Sequence, residues 1–427
     1  MELCLRLKRR ASFYYLVLVL GFLAGLLWVN LVRTVPVSDF GYYHRLATQI
    51  AKGGQWGDTY TTVGYPIFLA PFYWLLGASV WVAKALNLGL STFNNVLVFH
   101  ILEKISIPET LRKRIFVLFV FFPMNIYYNS LVASEILFTT LFLLSINVYL
   151  ADINYKYLFI GVLTGLNTMI KPYFPLFALA IILSDFMCHK KFWVSFQKGA
   201  VVLLMTGFII APWLYRNYKL IGEFTYVSNN GGIVLYINNN SQNKLSGWMP
   251  AEDIENSVVK RPDYSAANPT EKKKMLSRAA KDWIMEHPGE FVNLGLKRLK
   301  RTFIQYGDYN YGDITLAFYG SGIPHPLQLE LFKASELVRA PVFIGGVASI
   351  FVYTILYFGL FFASNPSSEQ GGLFLLMTFY MFAGVYFLTE GQSRYAFPTV
   401  LSLIFYVILG IERIKSITKL IWVKLRG

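Results

Sequence analysis

"FYYLVLVLGFLAGLLWVNLVRTVPVSDFGYYHRL" (Phe13 to Leu46) sets a long uncharged apolar run directly before an acid, a histidine and an arginine. Phe13 to Val32 exceeds the ~18 residues that identify a bilayer-spanning helix. It is too long for the apolar core of a signal peptide, and no small-residue cleavage site follows it, so a retained helix is expected. A loop needing only solubility could use Ser, Asn or Lys. Asp39, at the membrane surface, is the residue to explain.

The same apolar character runs through the whole chain. Of its 427 residues 55% are hydrophobic and 17% aromatic, where soluble domains reach ~45–50% apolar with glycine included. The composition predicts a polytopic membrane protein. The net charge of +15 does not point to nucleic acid, because the lysines and arginines gather in short loops between apolar runs, the mark of cytoplasmic loops. The two cysteines, Cys4 and Cys188, adjoin basic clusters placed in the cytoplasm, and imply no disulfide framework.

From the apolar runs, ten transmembrane helices are expected, at about 12–34, 80–102, 113–130, 134–151, 156–170, 173–187, 197–215, 338–362, 371–389 and 395–412. Charges in the short loops place both termini inside and the Asp39 loop outside. The inner loop "ASNPSSEQGG" carries no positive charge and is the exception. Residues 61–77, "TTVGYPIFLAPFYWLLG", are broken by Pro66 and Pro71 and read as re-entrant or interfacial. Three regions follow. Residues 1–216 form an N-terminal transmembrane module with its first outer loop at 35–79. Residues 217–337 form a small mixed α/β extracytoplasmic domain, and 338–427 hold the last helices and a basic inner tail.

Within the outer domain, "NNGGIVLYINNN" alternates like a short strand. "NPTEKKKMLSRAAKDWIMEHPG" opens with a helix-capping signal, Asn268, Pro269 and Glu271. The next segment lines up Val292, Leu296, Leu299 and Phe303 as an apolar stripe, with Lys297, Lys300 and Arg301 away from it. That pattern suits a helix lying on anionic headgroups.

This topology gathers Asp39, Glu135, Lys171, Arg216 and Arg394 at the outer face. Two acids could serve as a base and a positioning group for a hydroxyl, and the cations could hold an anionic leaving group. Plainer roles stand beside these: Asp39 as a helix N-cap, Glu135 as a partner of a helix dipole, the cations snorkelling to headgroups. His44 also reads as a helix-surface residue. The sequence has no HExxH, CxxC, Walker loop or GxSxG element, so no metal site, nucleotide hydrolysis or serine chemistry has sequence support.

The motifs in order resemble the GT-C superfamily of membrane glycosyltransferases, and its family-39-like branch in particular, related to protein O-mannosyltransferases and lipid A aminoarabinose transferases. The resemblance runs through "SDFGYYHRLATQIAKGG", "TTVGYPIFLAPFYWLLG", "SEILFTTLFLL", "GLNTMIKPYF", "PWLYRNYKLIGEF", "GWMP", "HPGEFVNLGLKRLKR" and "GQSRYAFP". It implies inverting, metal-independent transfer of a sugar from a polyprenyl-phosphate carrier to a glycan, lipid or protein hydroxyl of the cell envelope. The implied setting is the outer face of the cell membrane, with no cofactor.

The family's first-loop acid maps onto Asp39 and its second acid onto Glu135. Lys171, Arg394, Tyr395 and Arg216 map onto lipid-phosphate contacts, and Tyr43, His44 and Tyr65 onto donor or acceptor contacts. The apolar stretch at 63–78 would hold the lipid tail. Two departures stand out: Val63 replaces a family proline, and Phe40 follows Asp39 where protein mannosyltransferases have a second acid. The latter weakens the case for a protein acceptor and a mannose donor. A polymerase or ligase using a diphosphate carrier, a flippase for lipid-linked sugars and a non-catalytic assembly subunit are the competing roles.

Overall fold

Inside a bilayer the backbone must satisfy its own polar groups, so apolar runs become helices. The computed structural model describes residues 2–304, 318–363 and 370–426, and every regular element among them is helical. The first half comprises α1 (Glu2–Leu31), α2 (Ser38–Ala51), α3 (Gly64–Leu76), α4 (Val80–Lys104), α5 (Glu109–Val120) and α6 (Pro123–Tyr127). It continues with α7 (Glu135–Tyr149), α8 (Lys156–Thr168), α9 (Phe177–His189) and α10 (Phe192–Ile221). Then come α11 (Gly231–Asn238), α12 (Pro262–Ala266), α13 (Pro269–Glu286) and α14 (Pro288–Phe303). α15 (His325–Ala363), α16 (Gln370–Leu388), a 3-10 segment (Ser393–Thr399) and α17 (Val400–Arg426) close the chain.

Among the described residues six helical stretches are long and apolar enough to cross a membrane. These are Ser12–Leu31, Val80–Lys104, Phe192–Ile221, His325–Phe362, Gln370–Leu388 and Ser393–Lys419. The chain is a multi-pass membrane protein. Four expected crossings take other forms. α7 and α9 are apolar but short, and α8 has 13 residues. The run at 113–130 breaks at Pro123, which ends α5 and opens the five-residue α6, as a ring that blocks the preceding turn requires. α3 covers the expected irregular stretch as one helix of 13 residues containing Pro71; at ~1.5 Å per residue it is too short to span. The uncharged loop at 364–369 lies outside the described residues.

α7 is the centre of the bundle. It packs on α4 and α8 and is buried on nearly every side, which fits a helix apolar all round. α8 lies close against α10 because Gly161 and Gly165, one turn apart, leave no side chain between the backbones. A Cβ at Gly161 would run into Met205 and one at Gly165 into Ile209; small residues at this spacing let membrane helices approach.

Two expectations for the outer region change. "GGIVLYIN" is the helix α11 rather than a strand, so among the described residues of this region the α/β assignment becomes all-α. Its buried Gly232, Tyr236 and Ile237 follow a helical spacing against α13, and a Cβ on Gly232 would meet the backbone of Lys273. Asn238, Asn239 and Asn240 then fold back on the carbonyls of Val234, Leu235 and Tyr236. Strand propensity is contextual, and here the packing partner is a helix.

The amphipathic helix α14 splits its expected apolar stripe between the bundle and the surface. Leu294, Gly295, Arg298, Thr302 and Phe303 are buried, while Val292 and Leu296 stay exposed. Gly295 decides the rotation, since it sits directly against the ring of Phe387. The capping box of α13 forms as the sequence signals: Asn268 Oδ1 accepts from the N–H groups of Thr270 and Glu271, each at 2.9 Å, and the Asn268 N–H donates to Glu271 Oε2 at 2.8 Å.

Candidate active site

α2 begins abruptly. Val37 is extended and Ser38 takes φ +49°, a conformation costing roughly 1–2 kcal/mol for a residue with a Cβ. Asp39 follows in the first turn, where a carboxylate is favoured by the helix dipole. It does not cap the helix. No side chain caps that end, and Asp39 Oδ2 instead accepts from Arg394 Nη2 at 3.3 Å. The carboxylate side chain is half exposed and the guanidinium mostly covered.

Arg394 comes from the 3-10 segment at the entry of α17. Its guanidinium lies 5.9 Å from the Phe40 ring and 5.2 Å from the Tyr395 ring, and its Nε is buried without a hydrogen-bond partner. Tyr395 is fixed from both ends: its hydroxyl donates to Glu390 Oε2 at 2.8 Å, and its carbonyl accepts from the Tyr386 hydroxyl at 2.7 Å.

The second pair forms beside the same tyrosine. Glu135 opens α7 and is 4% exposed. Lys171, in the turn after α8, donates to Glu135 Oε1 at 3.4 Å and stands 5.9 Å from the Tyr395 ring centroid. Glu135 Oε2 is buried without a partner. An unsatisfied buried carboxylate oxygen costs on the order of 1–3 kcal/mol or more, so such an atom calls for an explanation.

Tyr43 joins the two pairs. It is buried in α2, packs edge-on to Tyr65 at 5.6 Å between ring centroids, and has Ser134 at its hydroxyl. Burial, then the negative charges of Asp39 and Glu135, hold its pKa above the ordinary tyrosine value. It is a neutral hydroxyl at physiological pH. The site thus offers two carboxylates, two cations and a phenol drawn from positions as far as 355 residues apart.

No protein-family model matches the chain, and no curated protein matches it. Solved structures do. The oligosaccharyltransferase of Archaeoglobus fulgidus, solved with a tethered acceptor peptide containing an NVT sequon, superposes with a TM-score of 0.53 at 12% identity. The match covers 94% of this chain and 49% of that one, and the apo form of the same protein gives 0.51 over 92% and 50%. ArnT from Cupriavidus metallidurans, bound to undecaprenyl phosphate, gives 0.43 at 12% identity over 94% and 78%. This chain shares the fold of the archaeal oligosaccharyltransferase. It spans about half the length of the archaeal protein.

Not every residue anticipated for a GT-C site reaches the two ion pairs. Arg216, at the end of α10, donates to the carbonyls of Trp56, Gly57 and Asp58 and to Asn217 Oδ1, and stacks 4.4 Å from the Trp213 ring. It pins the loop between α2 and α3, and its position at a helix end could not reveal that. His44 turns toward α3, with Nδ1 2.9 Å from the Tyr73 hydroxyl. Burial, and secondarily Arg45, push its pKa below 6.5. Tyr65 meets the site as the packing partner of Tyr43 and within reach of the Glu135 charge.

Glu390 is the polar group the sequence reading passes over. It is 6% exposed, takes hydrogen bonds from Tyr395 and Gln392, and so fixes the segment carrying Arg394. The signal was an acid ending an apolar run four positions before that arginine. Arg298 is likewise fully buried and ties α14 to α11 and to the end of α16.

Tyr65, Leu69 and Tyr73 of α3 turn inward, while Trp74, Leu75 and Leu76 at its end are exposed. An apolar groove of about 410 Å³ opens beside Lys171, lined by Pro172, Tyr173, Pro175, Leu176, Leu179 and Leu203. Among the described residues no three His, Cys, Asp or Glu side chains stand together as metal ligands would.

Proposed function

We propose that this protein transfers a glycosyl unit from a polyprenyl-phosphate-linked sugar to a hydroxyl of a cell-envelope acceptor, at the outer face of the cell membrane. The observation that carries it is the pairing of Asp39 with Arg394 and of Glu135 with Lys171, both cations within 6 Å of one tyrosine ring. The phosphodiester of such a donor can take the place of the Asp39 carboxylate on Arg394 and share Lys171 with Glu135, since both are charge-assisted oxygen acceptors. Lys171 and Arg394 would then hold the donor phosphate, with the lipid tail in the groove beside Lys171.

Once Arg394 has moved to phosphate, Asp39 is released. The acceptor oxygen attacks the anomeric carbon, its proton passes to Asp39, and the bond from that carbon to the phosphate oxygen breaks. The lipid phosphate leaves with the bonding pair, neutralised by the two cations. Attack opposite the leaving group inverts the anomeric centre. Glu135 Oε2, free inside the site, accepts a hydroxyl of the bound sugar or acceptor and orients it. The carrier already activates the sugar, so the step needs no nucleotide, and the two separate carboxylates support a route without metal.

The test is the surface-glycan mass profile of a deletion strain, complemented with wild type or Asp39→Asn at equal membrane abundance. One sugar mass should vanish and return with wild type alone. In membranes the purified Asp39→Asn protein should turn over ~10²–10⁴-fold more slowly, the typical worth of a general base, and EDTA should leave the wild-type rate unchanged. Full restoration by Asp39→Asn would remove the base from this scheme.

A further inference from the structure

The bundle carries a second polar cavity at its other end. Three helices connect the two places. α7 starts at Glu135 in the site and ends at Tyr149 in the cavity wall; α16 starts at Gln370 in the wall and ends two residues before Glu390. α17 follows directly on the segment of Arg394 and reaches the wall at Arg413. At ~1.5 Å per residue, the 15 residues of α7 cover ~22 Å and the 19 of α16 ~28 Å, so the two places lie most of the ~30 Å thickness of a bilayer core apart. The cavity therefore opens on the opposite membrane face.

Its volume is about 570 Å³, within the ~300–1,000 Å³ of ligand pockets. The lining includes Lys104, Lys156 and Arg413 against a single carboxylate, Asp152, with Tyr149 and Gln370 among its polar groups. Part of this charge has a structural task. Lys104 Nζ donates to Asn147 O at 2.8 Å, and Lys156 Nζ to Tyr149 O at 3.0 Å and Ala151 O at 3.2 Å, covering the last carbonyls of α7. An ammonium has three donors, so Lys104 keeps two and Lys156 one. Arg413 is exposed at the edge. Gln370 Nε2 donates to the Tyr149 hydroxyl at 3.1 Å, which fixes the wall between them.

We propose that this cavity binds a phosphate-bearing anion, the headgroup of an anionic lipid or a soluble phosphate ester, on the face opposite the Asp39 site. Basic pockets between membrane helices suit such headgroups, whose charge is carried on oxygens that several N–H donors can share.

The test uses the purified full chain in detergent, with native mass spectrometry and thermal melting as readouts. The probes are dioleoylphosphatidylglycerol, dioleoylphosphatidylcholine and glycerol 3-phosphate. Phosphatidylglycerol should stay bound and raise the melting temperature, and phosphatidylcholine should not. Arg413→Gln and Lys156→Gln should each weaken binding about fivefold, while Lys281→Gln, exposed on α13 and outside both sites, leaves it unchanged. Lys156→Gln uncaps α7 and could unfold the bundle end; Arg413→Gln is exposed and keeps the test decisive. Glycerol 3-phosphate displacing the lipid would identify a soluble ester as a ligand, and its failure to do so would identify the lipid headgroup. Equal binding of both lipids with no effect of glycerol 3-phosphate, or unchanged binding by Arg413→Gln, overturns the proposal.

Discussion

Replacing Arg298 by methionine keeps the length of the side chain and removes its charge and donors. In the native protein Nη1 donates to Phe387 O at 2.6 Å, and Nη2 donates to Asn238 O and, at 2.9 Å, to Asn239 Oδ1. The side chain is 0% exposed. Its pKa is lowered to about 10, by burial first and against the pull of Glu390, so it stays charged at neutral pH. Methionine would leave three buried acceptors without a donor, each worth ~1–3 kcal/mol. Loss of one partner from a buried charged network costs ~3–5 kcal/mol, and the lower half of that additive range fits because the chain ends relax. At ~2.1 cal/mol/K of unfolding entropy per residue, a chain of 427 residues shifts by roughly 1 °C per kcal/mol, so a melting temperature about 3–5 °C lower follows. Turnover should fall at least ~10-fold, because the residues after Phe387 carry Glu390, and a displacement of ~1 Å costs up to ~10² in rate. Arg298→Lys keeps the charge and some of the bonds and should fall between. The assay is fluorescence-detected melting in detergent, with donor turnover in parallel. A methionine variant melting within about 2 °C of wild type, or a lysine variant indistinguishable from methionine, would refute the role given to the guanidinium fork.

The remaining predictions concern the site and its support. Lys171→Met should raise the donor KM by ~10-fold or more, the worth of one charge-assisted bond, whereas Glu135→Gln should lower kcat and leave donor KM unchanged or reduced, because Lys171 loses its competitor; steady-state kinetics decides, and matching KM increases would contradict it. Gly64→Ala places a Cβ 2.7 Å from the Met169 carbonyl and should destabilise by ~1–3 kcal/mol; Gly89→Ala, which meets open space, should not, and equal melting of the two variants would be the contrary result. His44 is held neutral, its pKa depressed by burial and then Arg45. The unfolded chain therefore binds more protons between that lowered pKa and about 6.5, and stability falls as pH drops through this window and is flat above it. The difference in melting temperature between wild type and His44→Gln should change across this window; parallel profiles would exclude the effect.

What the sequence discloses divides along physical lines. Apolar run length and local caps need only neighbours in the chain, so the long helices and the Asn268–Glu271 capping box were legible. The pairing of Asp39 with Arg394 and of Glu135 with Lys171 was legible as a set of charges at one face, through motif order, but not as two pairs. α11 was misjudged because "IVLYI" has strand character, and the helix it packs on lies some forty residues further along. The inward face of α14 depended on a glycine against Phe387, a contact no periodicity encodes. Arg216 shows the limit most plainly: from sequence, a cation ending a membrane helix looks the same whether it meets a phosphate or a loop.

The structure supplies the missing criterion, which is the number of donors left over and the kind of acceptor holding the rest. Lys84 is 2% exposed, gives its ammonium to Val29 O and Val32 O, and lies over Trp81. Arg298 and Arg216 are likewise committed to backbone carbonyls. A carbonyl cannot leave without unravelling the segment that carries it, so these cations are structural; Lys156, held the same way, differs in keeping its third donor at a cavity wall. Lys171 and Arg394 are held by carboxylates, side-chain anions that can swing aside while the backbone stays. Of these pairs, Asp39 with Arg394 is the more readily opened: the aspartate is half in solvent, where an ion pair is worth only ~0–1 kcal/mol. Glu135 is nearly fully enclosed, and separating it from Lys171 would strand a buried charge. Under the proposed function, an arriving phosphate would displace Asp39 first and join Lys171 without expelling Glu135. The carboxylate set free would be the one with access to solvent, where an acceptor would enter, which favours Asp39 as the proposed base and Glu135 as the proposed orienting group.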